Sequence, residues 1–317
     1  MARQKDVGVA NRREFLVAAA AGALVAGCCT GGREEGAATR PVGAFRYALN
    51  PATIRTYKCP LKEQVRLCVA AGYEGIEPWL ADIRAAKAAG ELRDIRKMCE
   101  DGRLAVVNGI GFAHWAMPDP ADRRKGMEEM KADMELVAEL GGRFIAAPPF
   151  GLQKPGSPKV SLDAFADGYR AVLELGGRMG VVPILEFWGH SANLSRLNEA
   201  LYVAAASGHA EAAVLADVYH MYRGGSPYEG LRFCTKSTLP VLHMNDVPAT
   251  PARAQLKDAD RVWPGDGIAP WREIKDILRA GGLDPWLSLE LFNASYCTTT
   301  PLETLKTGLA KMKAVMA

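Results

Sequence analysis

The 317-residue chain is 49% hydrophobic and 24% charged, and its 39 basic and 36 acidic residues give a formal net charge of +3. These values are ordinary for a globular protein and exclude a disordered, collagen-like or coiled-coil chain. No apolar run reaches the roughly 18–20 residues that a membrane-spanning helix requires. The length suits two average domains or one α/β barrel of about 250 residues.

Residues 1–27 have the pattern of an export signal. The arginine pair at 12–13 precedes the apolar stretch 15–26, which is too short to span a bilayer but typical of a signal peptide. The pattern resembles a twin-arginine signal and predicts export to the periplasm. The stretch runs into L-V-A-G-C (24–28), which resembles a lipobox, so we expect Cys28 to carry a lipid anchor as the one contact with the membrane. Ordinary cleavage after small residues is the alternative.

The short segment 28–42 is small and polar, and we interpret it as a flexible linker. Residues 1–27 contain four basic and two acidic residues, so the rest of the chain has 35 basic and 34 acidic residues and a net charge of +1. A nearly neutral body offers no field that attracts a phosphate backbone, so we expect no nucleic-acid binding. Five cysteines follow Cys29, none in C-x-x-C spacing, so no disulfide framework or zinc knuckle is predicted.

From residue 43 onward, eight short apolar runs alternate with longer amphipathic segments. The runs predict strands at 45–49, 75–79, 104–110, 144–147, 181–187, 213–217, 241–245 and 287–291. The other segments predict helices near 61–71, 90–100, 121–140, 162–179, 194–206, 228–236, 270–280 and 302–316. Glycine follows several of these helices, as is typical of a helix C-cap.

Eight strand–helix units predict that residues 43–317 form a single-domain (β/α)8 TIM barrel. Continuous apolar strands are typical of a parallel sheet that is buried on both faces. A doubly wound sheet is the alternative, but the chain lacks a G-x-G-x-x-G turn after the first strand. Since barrel enzymes carry their chemistry at the carboxyl ends of the strands, we expect the functional side chains there.

Four consecutive predicted strands carry polar residues at this end. Glu186 ends the fifth strand, Asp217 ends the sixth, His243 lies in the seventh and Glu290 lies in the eighth. Each has a structural explanation when taken alone, but a carboxylate inside an apolar strand is costly to bury without a partner. A shared divalent cation would satisfy all four. Three carboxylates and one imidazole favour Mn²⁺, with Mg²⁺, Co²⁺ or Zn²⁺ as alternatives.

Around these residues the sequence resembles the xylose isomerase-like TIM-barrel superfamily, which contains sugar isomerases and epimerases. The matching motifs are L-E-F-W (185–188), D-V-Y-H-M-Y-R-G-G (217–225), H-M-N-D-V-P (243–248), D-R-V-W-P-G-D-G (260–267) and S-L-E-L-F (288–292). In residues 43–180 the similarity rests mainly on G-Y-E-G-I-E (72–77). These motifs indicate the superfamily and do not specify a substrate.

The resemblance implies roles for the four strand-end residues. Glu186, Asp217, His243 and Glu290 would bind the metal ion, and the two glutamates would also be the catalytic acid–base pair. One glutamate would remove a proton from the carbon beside the substrate carbonyl, and the other would return it on the opposite face. The metal would stabilise the enediolate between these two steps.

Five further residues are candidates for substrate binding. By the resemblance, His220 and Arg261 correspond to residues that hold substrate oxygens. From the predicted strand ends we add Glu77 after the second strand, His114 after the third and Trp188 after the fifth. Structural alternatives are a rim carboxylate satisfied by backbone amides for Glu77 and simple rim packing for Trp188.

We therefore expect a metal-dependent isomerase or epimerase that acts on a keto-sugar or related polyol. A dehydratase or lyase of the inosose or dehydroshikimate dehydratase type is the alternative, because it begins with the same proton abstraction. The epimerases carry another glutamate shortly after the fifth strand, whereas residues 189–193 read G-H-S-A-N. The resemblance therefore does not extend to the D-sugar epimerases in particular.

Two other classes of protein are less consistent with the sequence. The DNA-repair enzyme endonuclease IV shares this fold, but its three-metal cluster uses many histidines and this chain has five. A non-catalytic sugar-binding lipoprotein would not need buried carboxylates on both sides of a metal. The lack of an obvious basic pocket favours a substrate without a phosphate group, and a homo-oligomer is compatible with the sequence.

Overall fold

The computed structural model describes residues 44–317, so the predicted export signal, Cys28 and the predicted linker 28–42 lie outside the described residues. Nine parallel strands form one sheet within this range. They are β1 Arg46–Leu49, β2 Gly75–Ile76, β3 Ala105–Val106, β4 Asn108–Gly109, β5 Phe144–Ala147, β6 Val182–Glu186, β7 Val214–Asp217, β8 Val241–Met244 and β9 Trp286–Leu289.

Nine α-helices of the described residues surround this sheet. They are α1 Leu61–Ala71, α2 Leu80–Ala88, α3 Leu92–Asp101, α4 Pro120–Leu140, α5 Leu162–Met179, α6 Leu197–Ala206, α7 Val218–Gly224, α8 Trp271–Ala280 and α9 Pro301–Met316. Short 3₁₀ helices occur at 51–57, 228–233, 253–255, 258–260 and 294–296. Between residues 44 and 317, no helix has both the length and the apolar character needed to cross a membrane.

The sheet closes into a barrel through its third strand. The strand order is β3-β2-β1-β9-β8-β7-β6-β5-β4, and β3 and β4 are adjacent in the chain. The Val107 N–H still bonds the carbonyl of Ile76, which belongs to β2, whereas Asn108 and Gly109 pair with β5. The predicted single strand 104–110 is therefore two short strands, because the chain changes partner at Val107. The predicted single-domain TIM barrel is confirmed.

The helix prediction missed two α-helices, and the short helix that it placed near 228–236 is of a different type. It missed α2, whose buried residues Leu80, Ile83 and Ala86 recur every third position in an otherwise alanine-rich and polar segment. It also missed α7, which begins directly at the end of β7 because the Asp217 side chain accepts the His220 N–H and caps the helix. The segment predicted as a helix near 228–236 is a short 3₁₀ helix.

The barrel interior has two layers, because alternate residues of a strand point to the same side. The lower layer is small or apolar, and its members belong mainly to one buried cluster. Two positions further along each strand, the inward residue is polar and buried. The pairs, lower residue first, are Ala48 and Asn50, Gly75 and Glu77, Ile184 and Glu186, Leu215 and Asp217, Val241 and His243, and Ser288 and Glu290. The fold thus gathers six polar side chains at one rim.

Candidate metal centre and active site

Three of the four predicted ligands face one another in the upper layer. Asp217, His243 and Glu290 are buried, and each offers a ligand atom within 4.8 Å of the other two. Nδ1 of His243 lies 3.2 Å from Oε2 of Glu290 and 3.6 Å from Oδ2 of Asp217. This buried nitrogen has no hydrogen-bond partner among the described residues. One nitrogen and two carboxylate oxygens that converge in this way fit a divalent metal ion.

Glu186, the fourth predicted ligand, lines the same pocket as Glu290 but is not part of the three-residue group. Its side chain is buried at the end of β6. Burial raises its pKa to about 8; the neighbouring His243 opposes this rise and the Glu290 carboxylate adds to it. The structure therefore brings both predicted catalytic glutamates to one pocket and places one of them directly against His243.

Glu77 lies behind His243, away from the pocket lining. Its Oε1 is 3.1 Å from Nε2 of His243, and its Oε2 accepts a hydrogen bond of 2.8 Å from Nδ2 of Asn108. This differs from the predicted substrate-binding position, because the inward direction from β2 buries the carboxylate completely. A carboxylate on Nε2 keeps a ring proton there, so loss of the other ring proton to a metal ion would expose the lone pair of Nδ1 toward Asp217 and Glu290.

The electrostatic balance of His243 reflects the same contacts. Burial by itself lowers its pKa, but the carboxylates of Glu290 and Glu77 outweigh burial and hold the pKa well above its usual value. In Asp217, burial raises the pKa, and the positive charge of Arg261, the largest opposing cause, keeps the pKa below its usual value. The upper layer is therefore a cluster of charged groups whose members stabilise one another.

Two asparagines that sequence reasoning missed orient the carboxylates. Nδ2 of Asn50 donates to Oε1 of Glu290 at 2.8 Å, and Nδ2 of Asn245 donates to Oδ2 of Asp217 at 2.9 Å. The Trp79 indole N–H in turn donates to Oδ1 of Asn50 at 2.8 Å. Each asparagine directly follows a strand, so the signal that identified the acidic residues, a polar side chain at a strand end, was also present for the amides.

Arg261 is almost completely buried and binds the metal-ligand candidates directly. Nη1 donates to Oδ2 of Asp217 at 3.0 Å and to Oε2 of Glu290 at 2.7 Å. Nη2 donates to Oδ1 of Asp258 at 2.6 Å and lies 3.1 Å from Nε2 of His220. The guanidinium thus compensates three carboxylates, one of which, Asp258, was not predicted.

The loop that carries Arg261 is fixed by one carboxylate. Both oxygens of Asp246 accept two hydrogen bonds of 2.8 Å, and the four donors are the backbone N–H groups of Val247, Gly265 and Ala269 and the indole of Trp271. Gly265 has a φ of 89°, and a Cβ on Gly267 would lie 2.3 Å from Oδ1 of Asp246. The P-G-D-G motif (264–267) therefore supplies glycine where the backbone must approach this carboxylate.

The pocket beside these groups has a volume of about 210 Å³, and its lining combines aromatic and polar side chains. The lining residues are Trp79, Ile110, Phe112, Gln153, Glu186, Trp188, His190, His220, Asp258, Arg261, Glu290 and Phe292. The structure thus places Trp188, His220 and Arg261 at the pocket, where the sequence predicted them.

His220 is a neutral member of the pocket lining. Burial lowers its pKa to about 4; Asp217 opposes this change and Arg261 adds to it. Its Nδ1 accepts a hydrogen bond of 3.2 Å from the N–H of Gly189. The predicted substrate-binding residue is therefore an uncharged imidazole whose orientation is set by the backbone after β6.

His114 does not line the pocket. Its ring packs on Phe150 at 5.0 Å, and its half-exposed side chain has Nδ1 3.7 Å from a carboxylate oxygen of Glu129. The next residue, Trp115, is fully buried, with its indole N–H bonded to the carbonyl of Pro148. Anchoring of Trp115 turns His114 toward α4, so its predicted contact with substrate has no support in this geometry.

The chain belongs to the xylose isomerase-like TIM barrel family, whose family model matches residues 65–315. An inosose isomerase of Bacillus velezensis is 25% identical over 259 residues, which cover 81% of this chain and 92% of the relative. The predicted superfamily is confirmed, and so is the prediction of an enzyme of the isomerase and epimerase class.

Two solved structures share the fold. An IolI protein with a bound zinc atom has a TM-score of 0.78 and 22% identity, covering 86% of this chain and 98% of its own. A D-psicose 3-epimerase of Clostridium cellulolyticum, solved with D-tagatose, has a TM-score of 0.72 and 14% identity, covering 86% of this chain and 99% of its own. Both structures support the barrel fold, and the divalent metal site of this chain rests on its own buried Asp217, His243 and Glu290.

Proposed function

We propose that this protein is a divalent-metal-dependent isomerase or epimerase of a keto-sugar or a related polyol such as an inosose. The observation that carries the proposal is the unpartnered Nδ1 of His243, which faces carboxylate oxygens of Asp217 and Glu290 beside a small pocket. The inosose isomerase relatives support the same substrate class.

In this proposal Glu186 and Glu290 exchange protons with the substrate. Both line the pocket, so one removes a proton from the carbon beside the carbonyl and the other returns it on the opposite face. The metal, when bound, supplies a positive charge that polarises the carbonyl and stabilises the enediolate. Asn50 keeps the Glu290 carboxylate in a fixed orientation through its hydrogen bond to Oε1.

The aromatic part of the lining suits one face of a sugar or cyclitol ring. Its members are Trp79, Phe112, Trp188 and Phe292. Aromatic faces pack against the C–H groups of such rings and exclude water from the reacting side. We propose Mn²⁺ as the ion, with Mg²⁺, Co²⁺ or Zn²⁺ as alternatives, because oxygen ligands outnumber the single imidazole.

Metal analysis and isotope exchange test the proposal. We expect purified protein to bind one divalent ion. Both Glu186→Gln and Glu290→Gln should lower the metal content, and each should lower turnover by about 10²–10⁴-fold. The exposed Glu174→Gln is the matched control. With a panel of inososes and ketoses in D₂O, deuterium should enter the carbon beside the carbonyl. Absence of deuterium, or wild-type Mn²⁺ binding by both pocket variants, would refute the proposal.

A dehydratase or lyase is the second candidate. The pocket contains a second imidazole, His190, whose ring lies 5.6 Å from that of His220. As a neutral imidazole, His190 would donate a ring N–H hydrogen bond to a leaving hydroxyl group. Mass spectrometry separates the two candidates, because an epimerised product keeps the substrate mass and a dehydrated product is lighter by one water.

We also propose that the protein is exported by the twin-arginine route and anchored in the periplasm through Cys28. The arginine pair and the lipobox-like sequence support this proposal. Replacing Arg12 and Arg13 by lysine should retain the protein in the cytoplasm, and Cys28→Ser should release it from the membrane fraction. Unchanged fractionation of both variants would contradict the proposal.

A further inference from the structure

We infer that a second cleft on the same rim binds an anionic oxygen group, a carboxylate or a phosphate, of a hydroxylated substrate. The cleft has a volume of about 320 Å³ and lies between the segment 51–60, which follows β1, and the start of α2. Trp79 forms a wall of both this cleft and the pocket beside the metal centre. This inference rests on the proposed function, because it assigns the anionic group to the substrate of the same site.

Two unpaired cations lie at this cleft. The Arg55 guanidinium packs over the Trp79 ring at 4.3 Å, and Lys58 is held in a left-handed conformation (φ 54°) at the end of the 3₁₀ helix. Both side chains are exposed and line the cleft, and residues 44–317 supply neither with a salt-bridge partner. Their positive charges are therefore available to a ligand.

Two helix N-termini add to this positive potential. Helix α1 begins after Pro60 and helix α2 begins after Trp79, and both of these N-cap residues line the cleft. Neither helix has a side-chain hydrogen bond at its N-cap. The dipole of a helix favours an anion at this end. The contribution of α2 is the smaller one, because its Leu80 N–H already donates to the carbonyl of Ile110 and Asp82 lies in its first turn.

Gln64 provides an independent observation. It is buried at the cleft, and its Nε2 donates to the carbonyl of Cys59 at 2.8 Å and to Oδ2 of Asp82 at 3.1 Å. Its Oε1 is left without a partner among the described residues. An acceptor next to a positive site matches a ligand that carries both a hydroxyl donor and an anionic group.

The charge balance of the lining supports this ligand class. Asp82 is the one carboxylate among the cleft residues, and Gln64 already engages it. Arg55 and Lys58 therefore leave the lining with a net positive charge. The sequence favoured a substrate without a phosphate group because it showed no basic pocket. These two cations lie three positions apart in an unremarkable segment, and only the fold brings them together with two helix ends.

Anion binding tests the inference without any turnover. Inorganic phosphate and, separately, acetate are titrated by calorimetry into EDTA-treated protein, so that a bound metal does not contribute. We expect saturable binding of at least one anion to the wild type and at least fivefold weaker binding to the double variant Arg55→Ala/Lys58→Ala. The control Arg93→Ala/Lys306→Ala removes the same charges from exposed positions of α3 and α9 and should bind as the wild type does.

The outcomes separate this inference from the proposed function. Three results would overturn the anion site. They are no saturable binding of either anion to the wild type, a loss of anion affinity below fivefold in the cleft variant, and an equal loss of affinity in the control variant. Deuterium exchange into a neutral ketose or inosose is measured on the same metal-loaded proteins and tests the metal centre alone. Tighter binding of a sugar phosphate than of the matching uronate identifies phosphate as the anionic group, and the reverse order identifies carboxylate.

Discussion

The two halves of the barrel carry different chemistry at the same rim. The second half, strands β6 to β9, supplies Glu186, Asp217, His243 and Glu290, and the loop after β8 adds Arg261. The first half, strands β1 to β5, supplies aromatic side chains, buried amides and one buried carboxylate. The charged groups that would meet a metal and a substrate are therefore concentrated on one side of the barrel axis.

The first half nevertheless orients the second half through two contacts, one from β2 to β8 and one from β1 to its neighbour β9. Glu77 from the end of β2 bonds Nε2 of His243, and Asn50 from the end of β1 bonds Oε1 of Glu290. One half of the barrel therefore carries the candidate ligands, and the other half fixes their orientation. Residues without direct contact with a metal are then expected to influence metal binding.

The largest expected effect comes from removing the cation of the second half. Arg261→Met leaves Asp217, Glu290 and Asp258 without their shared guanidinium, and breaking a buried ion pair costs about 3–5 kcal/mol. We expect the free energy of unfolding in EDTA to fall by about this amount and Mn²⁺ to restore part of it. Denaturant titration with and without Mn²⁺ measures both values. A loss below about 1 kcal/mol in EDTA would contradict the role of Arg261 as the compensating charge.

A smaller effect, on metal affinity, is expected when the contact from the first half of the barrel to His243 is weakened. Glu77→Gln removes the charge behind His243, and loss of such an outer contact lowers metal affinity by about 10–100-fold. Competition with a chelator measures the affinity, and Glu128→Gln on the surface of α4 is the control. If Glu77 binds substrate as the sequence suggested, KM would rise while the metal affinity stayed constant, and Glu77 would have no role in orienting His243 for the metal.

A still smaller effect is expected for Trp79→Phe. The variant keeps an aromatic wall but loses the indole N–H that bonds Asn50. One such hydrogen bond contributes about 1 kcal/mol, so we expect kcat/KM to fall about fivefold with little change in metal content. Steady-state kinetics with any substrate found in the ketose panel provides the measurement, and an unchanged kcat/KM would show that Asn50 is held sufficiently by its other contacts.

The smallest expected effect is on thermal stability and involves α4, a helix outside the sheet in the first half of the barrel. Burial raises the pKa of Asp133 on α4 to about 6, although the ion pair with Arg84 opposes this shift. Because the folded-state pKa lies above the unfolded value, the stability that this group contributes at low pH is lost as the pH rises through about 6. Relative to wild type, Asp133→Asn should gain about 2 °C in Tm between pH 4 and 7. A Tm difference that is independent of pH would contradict this assignment.

Much of the fold follows from local sequence signals. Helices α1 and α5 and strand β5 have the predicted bounds, because apolar periodicity and glycine C-caps mark their ends. Helix α2 escaped prediction because it follows β2 directly and has few large apolar residues. The interruption at Val107 also escaped, because a change of strand partner depends on barrel closure and leaves no local signal.

The residues of the candidate site likewise fall into those that the sequence could predict and those that it could not. Glu186, Asp217, His243 and Glu290 were predictable because a charged residue in an apolar strand is conspicuous. The position of Glu77 behind His243 was not, since the sequence shows that a side chain points inward but not which partner it meets. The orientation of His114 likewise depends on the packing of Trp115 under the helices, which is a tertiary contact.

The divided third strand has a consequence for local unfolding. On either side of Val107 the barrel is closed by ladders of only two residue pairs, whereas β1 and β9 share four. Backbone amides at this seam should therefore exchange with deuterated solvent earlier than those of β8 and β9. Asn108, which holds Glu77, is the first residue of the strand after the break. Transient opening of this seam would loosen the carboxylate behind His243 and thereby connect backbone motion to metal release.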